Sequence, residues 1–533
     1  MSPYDTYTSP LATRNASDEM LRLWSARHKF NIWRRIWLAV AEAQHELGLP
    51  VSAEQVDELR AVVNRPGGIT DDEIRLAEKY ERELRHDVMA HVHALGDSCP
   101  TAKGIIHLGM TSQDVVCNAD WRILTDALQV MNTKVVRSIL SLSDAAARTK
   151  STPTLAFTHY QAAQPLSVGR RFAQWGYELA LCQERVVSGI ANNRLRGLRG
   201  ATGTQASFQK LVELSFLNDP NAHRSPLWSR SEAGAENAII DDLEKSVLIS
   251  LKWQSYAFTS SSGWVADGSP AWHTLTTQTY PRVVDTFILA DLASTAAVLH
   301  KIATDIRLLC NRKELDEPFE DKQIGSSAMP YKRNPMRCER ICGLTRFVMN
   351  LVGNAYDTAA TQWLERTLDD SSNRRLSLPE AFLALDGALD LMHNVASGLE
   401  VHEAMVRKNL MAELPFMATE NILMACVKLG GAGGRQHYHE LIRVHAQAAG
   451  MRVKEEGLDN DLLDRLKADK NFQSKARGGA LSSELDWEGV MDPMKYIGRS
   501  VEQTERFINE VANPLREHYG EEIEKLGKSG PRV

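Results

Sequence analysis

The ten residues 325–334, Gly-Ser-Ser-Ala-Met-Pro-Tyr-Lys-Arg-Asn, carry the side chains of this chain that are best suited to chemistry. Ser326 brings a hydroxyl group next to a flexible glycine, and Lys332 brings a positive charge. Asn334 before Pro335 predicts a helix N-cap followed by a first-turn proline. Amide groups and the helix dipole at such an N-terminus favour an anion. The run therefore predicts an anion-binding loop with a serine placed to act as a base, although a serine-rich capping loop is the simpler interpretation.

His159 is a candidate for proton transfer because an imidazole changes its charge near neutral pH. It stands in Thr-Leu-Ala-Phe-Thr-His-Tyr-Gln-Ala-Ala-Gln-Pro, a stretch between two predicted long helices. Taken alone, a loop histidine of this kind is more often structural than catalytic. From the residues themselves, a general acid or base and a structural side chain both stay open.

A second group of polar residues is suited to bind anions. Thr111 and Ser112 come just before a predicted long helix, where hydroxyls and first-turn amides can bind a carboxylate or a phosphate. The simpler interpretation is an ordinary N-cap. Arg366, Ser371 and Arg375 stand close together, and guanidinium groups suit phosphate as bidentate donors. A polar turn between two helices is the alternative for this segment.

The bulk composition limits the class of protein. A chain of 533 residues with 43% hydrophobic and 24% charged residues predicts a globular protein of more than one domain. The net charge of −6 and the lack of a basic tail argue against nucleic acid as a partner. The seven cysteines are an odd number without a CxxC pair, which indicates reduced thiols in a cytosolic protein. No apolar signal region or membrane-spanning run is expected.

No catalytic metal is predicted. The pairs His91 with His93 and His437 with His439 are two positions apart, so on a helix their side chains point to different sides. The sequence also contains no His-Glu-x-x-His motif.

The spacing of apolar residues predicts an all-α fold. No segment shows strand alternation with hairpin signals, and several predicted helices of about 30 residues imply a long central bundle with smaller helical regions at its sides. The predicted helices run from Ser17 to Gly48, Thr70 to Leu95, Ala119 to Lys150, Pro165 to Leu195, Pro281 to Cys310, Pro335 to Leu364, and Pro379 to Leu410.

Residues 216–272 differ from the rest of the chain. They contain four of the eleven tryptophans and several prolines, and the helical periodicity is broken there. The stretch is interpreted as an insertion. The sequence leaves open whether it is a surface elaboration or a product of how the coding sequence was assembled.

The run from Gly325 to Pro335 resembles the signature loop of the aspartase/fumarase superfamily, Gly-Ser-Ser-x-Met-Pro-x-Lys-x-Asn-Pro, at every fixed position. Its Tyr-Lys-Arg variant looks most like the adenylosuccinate lyases of eukaryotic type. The resemblance implies an all-α, three-domain fold with domains at 1–111, 112–401 and 402–533. It also implies a homotetramer in which the central bundles form a twenty-helix core and different subunits complete each site.

The same resemblance implies a reaction. Family members eliminate fumarate from adenylosuccinate to give AMP, and from succinyl-aminoimidazole-carboxamide ribotide to give AICAR, in the purine synthesis of the cytoplasm. No cofactor is implied, and the partners are small nucleotides rather than nucleic acid or membrane. Argininosuccinate lyase activity is an alternative, but argininosuccinate has no phosphate for the arginines to bind. A non-catalytic scaffold is another, although intact Ser326, Lys332 and His159 argue against it.

Roles for single residues follow from the resemblance alone. Ser326 is the general base, His159 is the general acid that protonates the leaving nitrogen, and Lys332 and Asn334 bind a substrate carboxylate. Asn15 stands where the family usually has a tyrosine, which weakens a stacking role there. The other implied substrate-binding residues are Arg14, Asn15, Arg85, His86, Asp87, Thr111, Ser112, Gln278, Arg340, Arg366, Ser371 and Arg375.

Overall fold

The computed structural model of this chain describes residues 5–217, 235–251, 272–429, 434–473, 485–527 and 530–532. The helices are α1 (Asp18–Leu23), α2 (Ala26–Glu46), α3 (Ala53–Val63), α4 (Asp71–Leu84), α5 (Asp87–Ser98), α6 (Ser112–Thr149), α7 (Val168–Asn192), α8 (Ala206–Leu217), α9 (Ala235–Leu251), α10 (Val283–Asn311), α11 (Met336–Ala360), α12 (Asp369–Ser397), α13 (Glu403–Met417), α14 (Thr419–Lys428), α15 (Gly434–Glu456), α16 (Leu462–Ala468), α17 (Lys470–Gln473), α18 (Trp487–Val490), α19 (Ser500–Phe507) and α20 (Asn513–Leu526). The strands are β1 (Pro153–Thr158), β2 (Gln161–Ser167), β3 (Leu315–Asp316) and β4 (Glu400–Val401).

Five long helices, α6, α7, α10, α11 and α12, form the central bundle. Their buried apolar side chains make one continuous core that includes Leu142, Leu299 and Leu389. Side-chain contacts fix the helix directions: Arg185 meets Asp291, whereas Trp175 nearer the start of α7 meets Asp305 nearer the end of α10. These contacts make α7 antiparallel to α10.

The bundle therefore has two distinct ends. Helix α12 runs parallel to α6, since Asp120 meets Arg374 and Ser141 meets His393. Helix α11 runs antiparallel to α10, since Arg307 lies 3.9 Å from Glu339 at the start of α11. We call the end where α6 and α12 begin the cluster end. We call the end where α6 stops and α11 begins the loop end.

Buried ion pairs cross-link the middle of the bundle. Lys134 on α6 pairs with Asp386 and Asp390 on α12, and Arg137 pairs with Asp390 at 2.5 Å. All four side chains are almost fully buried. Removing one partner would leave an uncompensated charge in the core, which is strongly destabilising. The pairs therefore hold α6 and α12 in one register.

Helix α10 corrects the expectation that no segment is apolar enough to cross a membrane. Among the described residues, α10 is the one helix that by itself is long and apolar enough to cross a membrane. It has 29 residues and a mean hydropathy of 1.5 over its most apolar window. Half of that window is buried in the protein, and Leu292, Leu299 and Ile306 lie in the bundle core. The centre of a large helical bundle requires an apolar helix for the same reason that a membrane does.

Two predicted helices are each broken in two. Ser17 caps α1 as predicted, but a new helix starts after Ser25, whose hydroxyl accepts a hydrogen bond from the amide of His28. Thr70 and Glu73 form the predicted capping box of α4. That helix stops at Arg85, which has a left-handed backbone with φ of 55°. Local capping residues thus interrupt an apolar periodicity that the sequence suggested was continuous.

The prediction that a helix begins at Pro379 was wrong. Helix α12 already begins at Asp369 and continues through Pro379 to Ser397, and α13 is a separate helix. A proline inside a helix removes one amide hydrogen bond. Packing of α12 against its bundle neighbours, with Leu378, Ala381 and Phe382 buried, outweighs that loss.

The prediction of no hairpin was also wrong. Strands β1 and β2 pair antiparallel, with Thr158 opposite Gln161, so the two residues between them form a tight turn. Pro165, the predicted start of a helix, lies inside β2, and α7 begins only at Val168. The turn residues are His159 and Tyr160 rather than the glycine or asparagine that mark such turns in sequences.

Part of the predicted insertion belongs to the core. Helix α9 packs against α2, and its side chains Ile240, Leu243 and Val247 are buried in the same apolar cluster as Trp33 and Trp37. The rest of the predicted insertion, apart from the end of α8 and Trp272, lies outside the described residues. The three domain boundaries remain a prediction. All seven cysteines are described, and none forms a disulfide.

Candidate active site

The loop that carries Ser326 is closed by contacts to its own backbone. Gly325 is buried, and its carbonyl oxygen accepts a hydrogen bond from Asn334 Nδ2 at 2.8 Å. A Cβ atom at position 325 would lie 2.2 Å from the carbonyl oxygen of Lys332. A side chain at this position would therefore push the backbone at Gly325 away from the backbone at Lys332.

The hydroxyl of Ser326 faces backbone amides. Ser326 Oγ accepts hydrogen bonds from the N–H groups of Met329 at 3.1 Å and Ala328 at 3.4 Å. Fixed amide dipoles directed at an oxygen favour negative charge on that oxygen. The geometry therefore matches what a serine needs to act as a base, because its alkoxide form is the one that these amides stabilise.

A carboxylate of the protein itself, that of Glu317, lies at the start of α11. The structure also corrects the predicted N-cap of this helix. Pro335, not Asn334, is the N-cap residue, and the Asn334 side chain is bound to the loop instead. The Glu317 carboxylate accepts from the amides of Arg337 at 2.9 Å and Cys338 at 3.1 Å. Burial raises the pKa of Glu317, although these amide bonds oppose the shift. The helix terminus thus anchors the loop rather than binding a substrate.

Two arginines attach the loop to the bundle. The Arg333 guanidinium lies 3.5 Å from Glu400 and 5.1 Å above the ring of Phe319. Arg337 pairs with Glu320 at 2.6 Å. Lys332 is exposed and makes no ion pair within the described ranges, so its charge is available to a ligand.

His159 lies at the exposed tip of the β1–β2 hairpin. His159 and Tyr160 have φ of 53° and 55°, the left-handed conformation that side chains other than glycine seldom adopt. Such backbone strain is found at functional sites more often than elsewhere. A cavity of about 240 Å³, lined among others by Phe157, Arg171 and Arg312, lies next to this turn. Both His159 and Ser326 are at the loop end of the bundle.

Arg366 is the centre of a polar group at the cluster end. Its Nη1 donates to Gln278 Oε1 at 3.1 Å, and its Nη2 donates to the hydroxyl of Ser371 at 3.0 Å. Asp370, beneath them, accepts from Arg282 and Arg366. Burial pushes the pKa of Asp370 upward, but the charges of Arg282 and Arg366 outweigh it and hold this pKa below its usual value. Three residues that were predicted to bind substrate thus lie in contact at this end.

Gln113 is a residue that the sequence analysis did not single out. With its amide oxygen turned toward Arg366, it accepts hydrogen bonds from both terminal nitrogens of that guanidinium, at 3.0 and 3.2 Å. The side chain is 5% exposed, so it holds Arg366 from the protein side. The available signal was its position directly after Thr111 and Ser112.

The break between α4 and α5 brings a second predicted group to the same end. Asp87 forms an ion pair with Arg375, although 288 positions separate them in the sequence. His86 Nε2 lies 3.3 Å from the hydroxyl of Ser112. Burial acts to raise the pKa of Asp87, but the charge of Arg375 prevails and lowers it. Arg85 ends α4 in a left-handed conformation. Arg85, His86 and Asp87 therefore do not have to share one helix face.

Three more predicted residues lie away from the cluster end: Arg14, Asn15 and Arg340. The turn that contains Asn15 packs on α12, and a Cβ atom at Gly387 would lie 2.8 Å from the Asn15 carbonyl oxygen. The side-chain Nδ2 of Asn15 donates to the Pro10 carbonyl oxygen at 2.9 Å. Burial lowers the pKa of Arg340, and the charge of Arg14 lowers it further. Arg14 and Arg340 therefore lie close to each other near the start of α11.

A single chain does not bring all predicted site residues together. Helix α6 has 38 residues, so about 57 Å separates Ser112 at its first turn from the hairpin that follows its end. In the described part of the chain, no hydrogen bond or ion pair joins Ser326 or His159 to the Arg366 group. Most of the predicted residues form two sets, one at each end of the bundle, whereas Asn15 lies beside Gly387 in the middle of α12.

One group of side chains has the spacing to hold a cation. The ligand atoms of Asp316, Glu400 and His402 lie within 4.8 Å of one another. His402 Nε2 is 3.0 Å from Asp316, and Glu400 pairs with Arg333 of the loop. The group is already paired internally and shows no further sign of a ligand.

Comparison with known proteins identifies the family. The chain is 44% identical to adenylosuccinate lyase of Schizosaccharomyces pombe over 96% of this chain and 95% of that one. It is 42% identical to the Saccharomyces cerevisiae enzyme of the same name over 99% and 100% of the two chains. The chain belongs to the adenylosuccinate lyase family. The prediction from the signature loop is therefore confirmed.

Family descriptions and solved structures agree with this membership. The adenylosuccinate lyase C-terminus family matches residues 415–507, and the Lyase family matches residues 12–215 and 268–350. The interval between the two Lyase segments, residues 216–267, covers most of the predicted insertion. A 3-carboxy-cis,cis-muconate lactonizing enzyme from Pseudomonas putida superposes with a TM-score of 0.73 at 22% identity, over 94% of this chain and 98% of that one. A fumarate lyase from Mesorhizobium sp. superposes with a TM-score of 0.71 at 20% identity, over 95% and 99%. The predicted all-α superfamily fold is confirmed.

Proposed function

We propose that this protein is an adenylosuccinate lyase that eliminates fumarate from adenylosuccinate, leaving AMP, and from succinyl-aminoimidazole-carboxamide ribotide, leaving AICAR. The observation that carries the proposal is the convergence of Arg366, Gln278 and Ser371 at the cluster end, with Arg375 nearby on α12. The guanidinium of Arg375, which is 60% exposed beside this group, has further N–H donors that suit a phosphate group. Among lyases of this superfamily, they favour a nucleotide substrate over argininosuccinate, which has no phosphate.

The loop end supplies the base. A proton leaves the carbon next to a carboxylate of the succinyl group, and a dianionic aci-carboxylate develops. Ser326 takes this proton, because the amides of Ala328 and Met329 stabilise its alkoxide form. The exposed ammonium of Lys332 neutralises the developing charge on the carboxylate.

The second half of the reaction breaks the carbon–nitrogen bond. The electron pair of the carbanion forms the double bond of fumarate, and the nitrogen leaves with the electrons of the broken bond. His159 donates a proton to that nitrogen, so that AMP leaves as a neutral amine. These steps need proton transfer and electrostatic stabilisation only, and so they require no cofactor.

The protein acts as a homotetramer in this proposal. One chain places Ser326 and His159 at the loop end and the Arg366 group at the cluster end, so a complete site needs ends from different chains. Apolar side chains on the outer faces of α7, α10 and α11, among them Tyr177, Phe287 and Tyr356, are about half exposed in the single chain and would be covered by such an assembly. The free thiols and the small soluble substrates support a cytoplasmic location.

An ultraviolet absorbance assay with adenylosuccinate, and with argininosuccinate in parallel, tests the proposal. Turnover of adenylosuccinate alone is the expected result. Turnover of argininosuccinate instead would keep the Ser326 chemistry and overturn the phosphate assignment. A folded protein without activity on either substrate would overturn the proposed function.

A further inference from the structure

A fully buried arginine joins the two chain segments that the proposed site depends on. The Arg196 side chain is 0% exposed. Its Nη1 pairs with Asp114 in the first turn of α6, and its Nη2 donates to the carbonyl oxygens of Gly200 at 2.6 Å and Thr277 at 3.0 Å. One guanidinium therefore connects α6, the segment at 195–205 and the segment before α10.

Asp114 passes this connection to the substrate-binding turn. Its Oδ2 accepts a hydrogen bond from the amide of Thr111 at 2.7 Å. Its Oδ1 accepts from the amides of Arg199 at 2.8 Å and Gly200 at 3.2 Å, in addition to Arg196. A carboxylate with this many donors is held in one orientation. The position of Thr111 and of its neighbour Ser112 thus depends on the Asp114–Arg196 pair.

The other end of the connection is next to Gln278. The Arg196 guanidinium holds the carbonyl oxygen of Thr277, and the following residue accepts from Arg366 at 3.1 Å. The 195–205 segment also packs tightly here, since a Cβ atom at Gly203 would lie 2.2 Å from the Thr276 carbonyl oxygen. The two segments are therefore in close backbone contact.

We propose that Arg196 is a positioning residue that fixes the spacing between the Thr111–Ser112 turn and Gln278, and thereby sets the affinity for the phosphate-bearing part of the substrate. The inference rests on the proposed function. A planar guanidinium can hold a carboxylate and two carbonyl oxygens at once, whereas a lysine ammonium of different shape cannot keep all three contacts. Arg196 touches no substrate itself and acts through the residues that do.

The test uses Arg196→Lys in the assembled full-length protein, with Arg137→Lys as the matched control. Arg137 is an equally buried arginine paired with Asp390, but it lies in the middle of the bundle. We expect Arg196→Lys to raise the KM for adenylosuccinate about tenfold, the loss of roughly one charged hydrogen bond, with kcat changed less than about threefold. Arg137→Lys should lower the melting temperature and leave KM unchanged.

Hydrogen exchange supplies a readout that does not depend on activity. In Arg196→Lys, the amides of Thr111, Arg199 and Gly200 should exchange faster than in the wild type, and in Arg137→Lys they should not. A folded Arg196→Lys protein with wild-type KM overturns the inference, whether or not its amides exchange faster. A rise in KM that Arg137→Lys matches also overturns it.

If Arg196→Lys does not fold, Asp114→Asn removes the charged partner at nearly constant size, and the same rise in KM is expected. A folded Asp114→Asn protein with wild-type KM would then overturn the inference. If the wild-type protein fails to act on adenylosuccinate, the proposed function falls, while the exchange comparison still supports or overturns the positioning role.

Discussion

Ser326 and Arg366 lie beyond opposite ends of the same helix, α11. The helix has 25 residues, so its ends are about 37 Å apart, and both flanking segments are tied to their own end. The Ser326 loop is held by Glu317 and Arg337, whereas Arg366 is held by Gln278 and Ser371. In the site proposed above, the base and the phosphate-binding residues would therefore come from different chains.

This separation predicts complementation between inactive variants. Ser326→Ala and Arg366→Ala should each lose activity, and mixed oligomers refolded from equal amounts should regain about a quarter of the wild-type activity, because that fraction of sites draws both intact residues from different chains. Activity after mixing is the measurement. The control mixes Ser326→Ala with Lys332→Ala, which damage the same loop and so should restore nothing. Equal recovery in both mixtures would contradict the two-chain site.

Ser326→Ala should abolish turnover but keep the affinity for AMP. A general base contributes about 10²- to 10⁴-fold, so kcat should fall by at least that range, whereas the cluster-end contacts remain. Steady-state kinetics and calorimetric titration with AMP measure the two effects. Ser327→Ala, which changes the exposed neighbour, serves as control and should stay active. An active Ser326→Ala enzyme would remove Ser326 as the base.

Gly325→Ala should reduce kcat far more than Gly343→Ala. The added methyl group at 325 would lie 2.2 Å from the Lys332 carbonyl oxygen, so the loop must open and displace the Ser326 hydroxyl from its amides. At Gly343, inside α11, no atom lies within 4 Å of the new methyl group. Melting temperatures and kcat of both variants decide the question. Similar kcat values would show that loop closure does not place the base.

Arg375→Ala should weaken AMP binding at least tenfold with little effect on stability. Arg375 is 60% exposed, and exposed ion pairs contribute about 0–1 kcal/mol to folding, whereas a charged contact to phosphate contributes more. Arg506, in an exposed pair with Glu510, offers a matched control in Arg506→Ala. Unchanged AMP affinity in Arg375→Ala would refute the phosphate assignment.

The raised pKa of Glu244 predicts a specific dependence of stability on pH. Its carboxylate accepts from the Leu198 amide at 2.7 Å and lies 3.1 Å from Arg199, yet burial raises its pKa from 4.5 to about 7. Between these values the folded protein keeps a proton that the unfolded chain releases, so the free energy of unfolding falls as the pH rises.

Glu244→Gln mimics the protonated side chain and should remove this contribution. Relative to the wild type, the variant should gain melting temperature as the pH is raised from about 5.5 to about 7.5. The comparison must be made between the two proteins at each pH, because three histidines destabilise the fold on acidification. Burial lowers the pKa to about 4 for buried His91 and for partly buried His107 and His393. A constant difference in melting temperature would mean that Glu244 is ionised throughout.

Much of the fold was predictable from local sequence. Apolar spacing identified the long bundle helices, and the Thr70–Glu73 capping box appeared as expected because its contacts span only four residues. Breaks and ends were less predictable. Arg85 and Ser25 end or restart helices where the apolar pattern continues, and Pro379 is tolerated inside α12 because the bundle packs around it.

The sequence by itself determined the family, because the run from Gly325 to Pro335 is a contiguous motif. It also predicted the reacting groups from their residue types. Only the tertiary structure decided which candidates meet. It placed Arg375 against Asp87, bound Asn334 to the loop instead of the helix, and showed Gln113 behind Arg366. Such contacts join residues far apart in the chain, and no local spacing encodes the direction in which long helices run past one another.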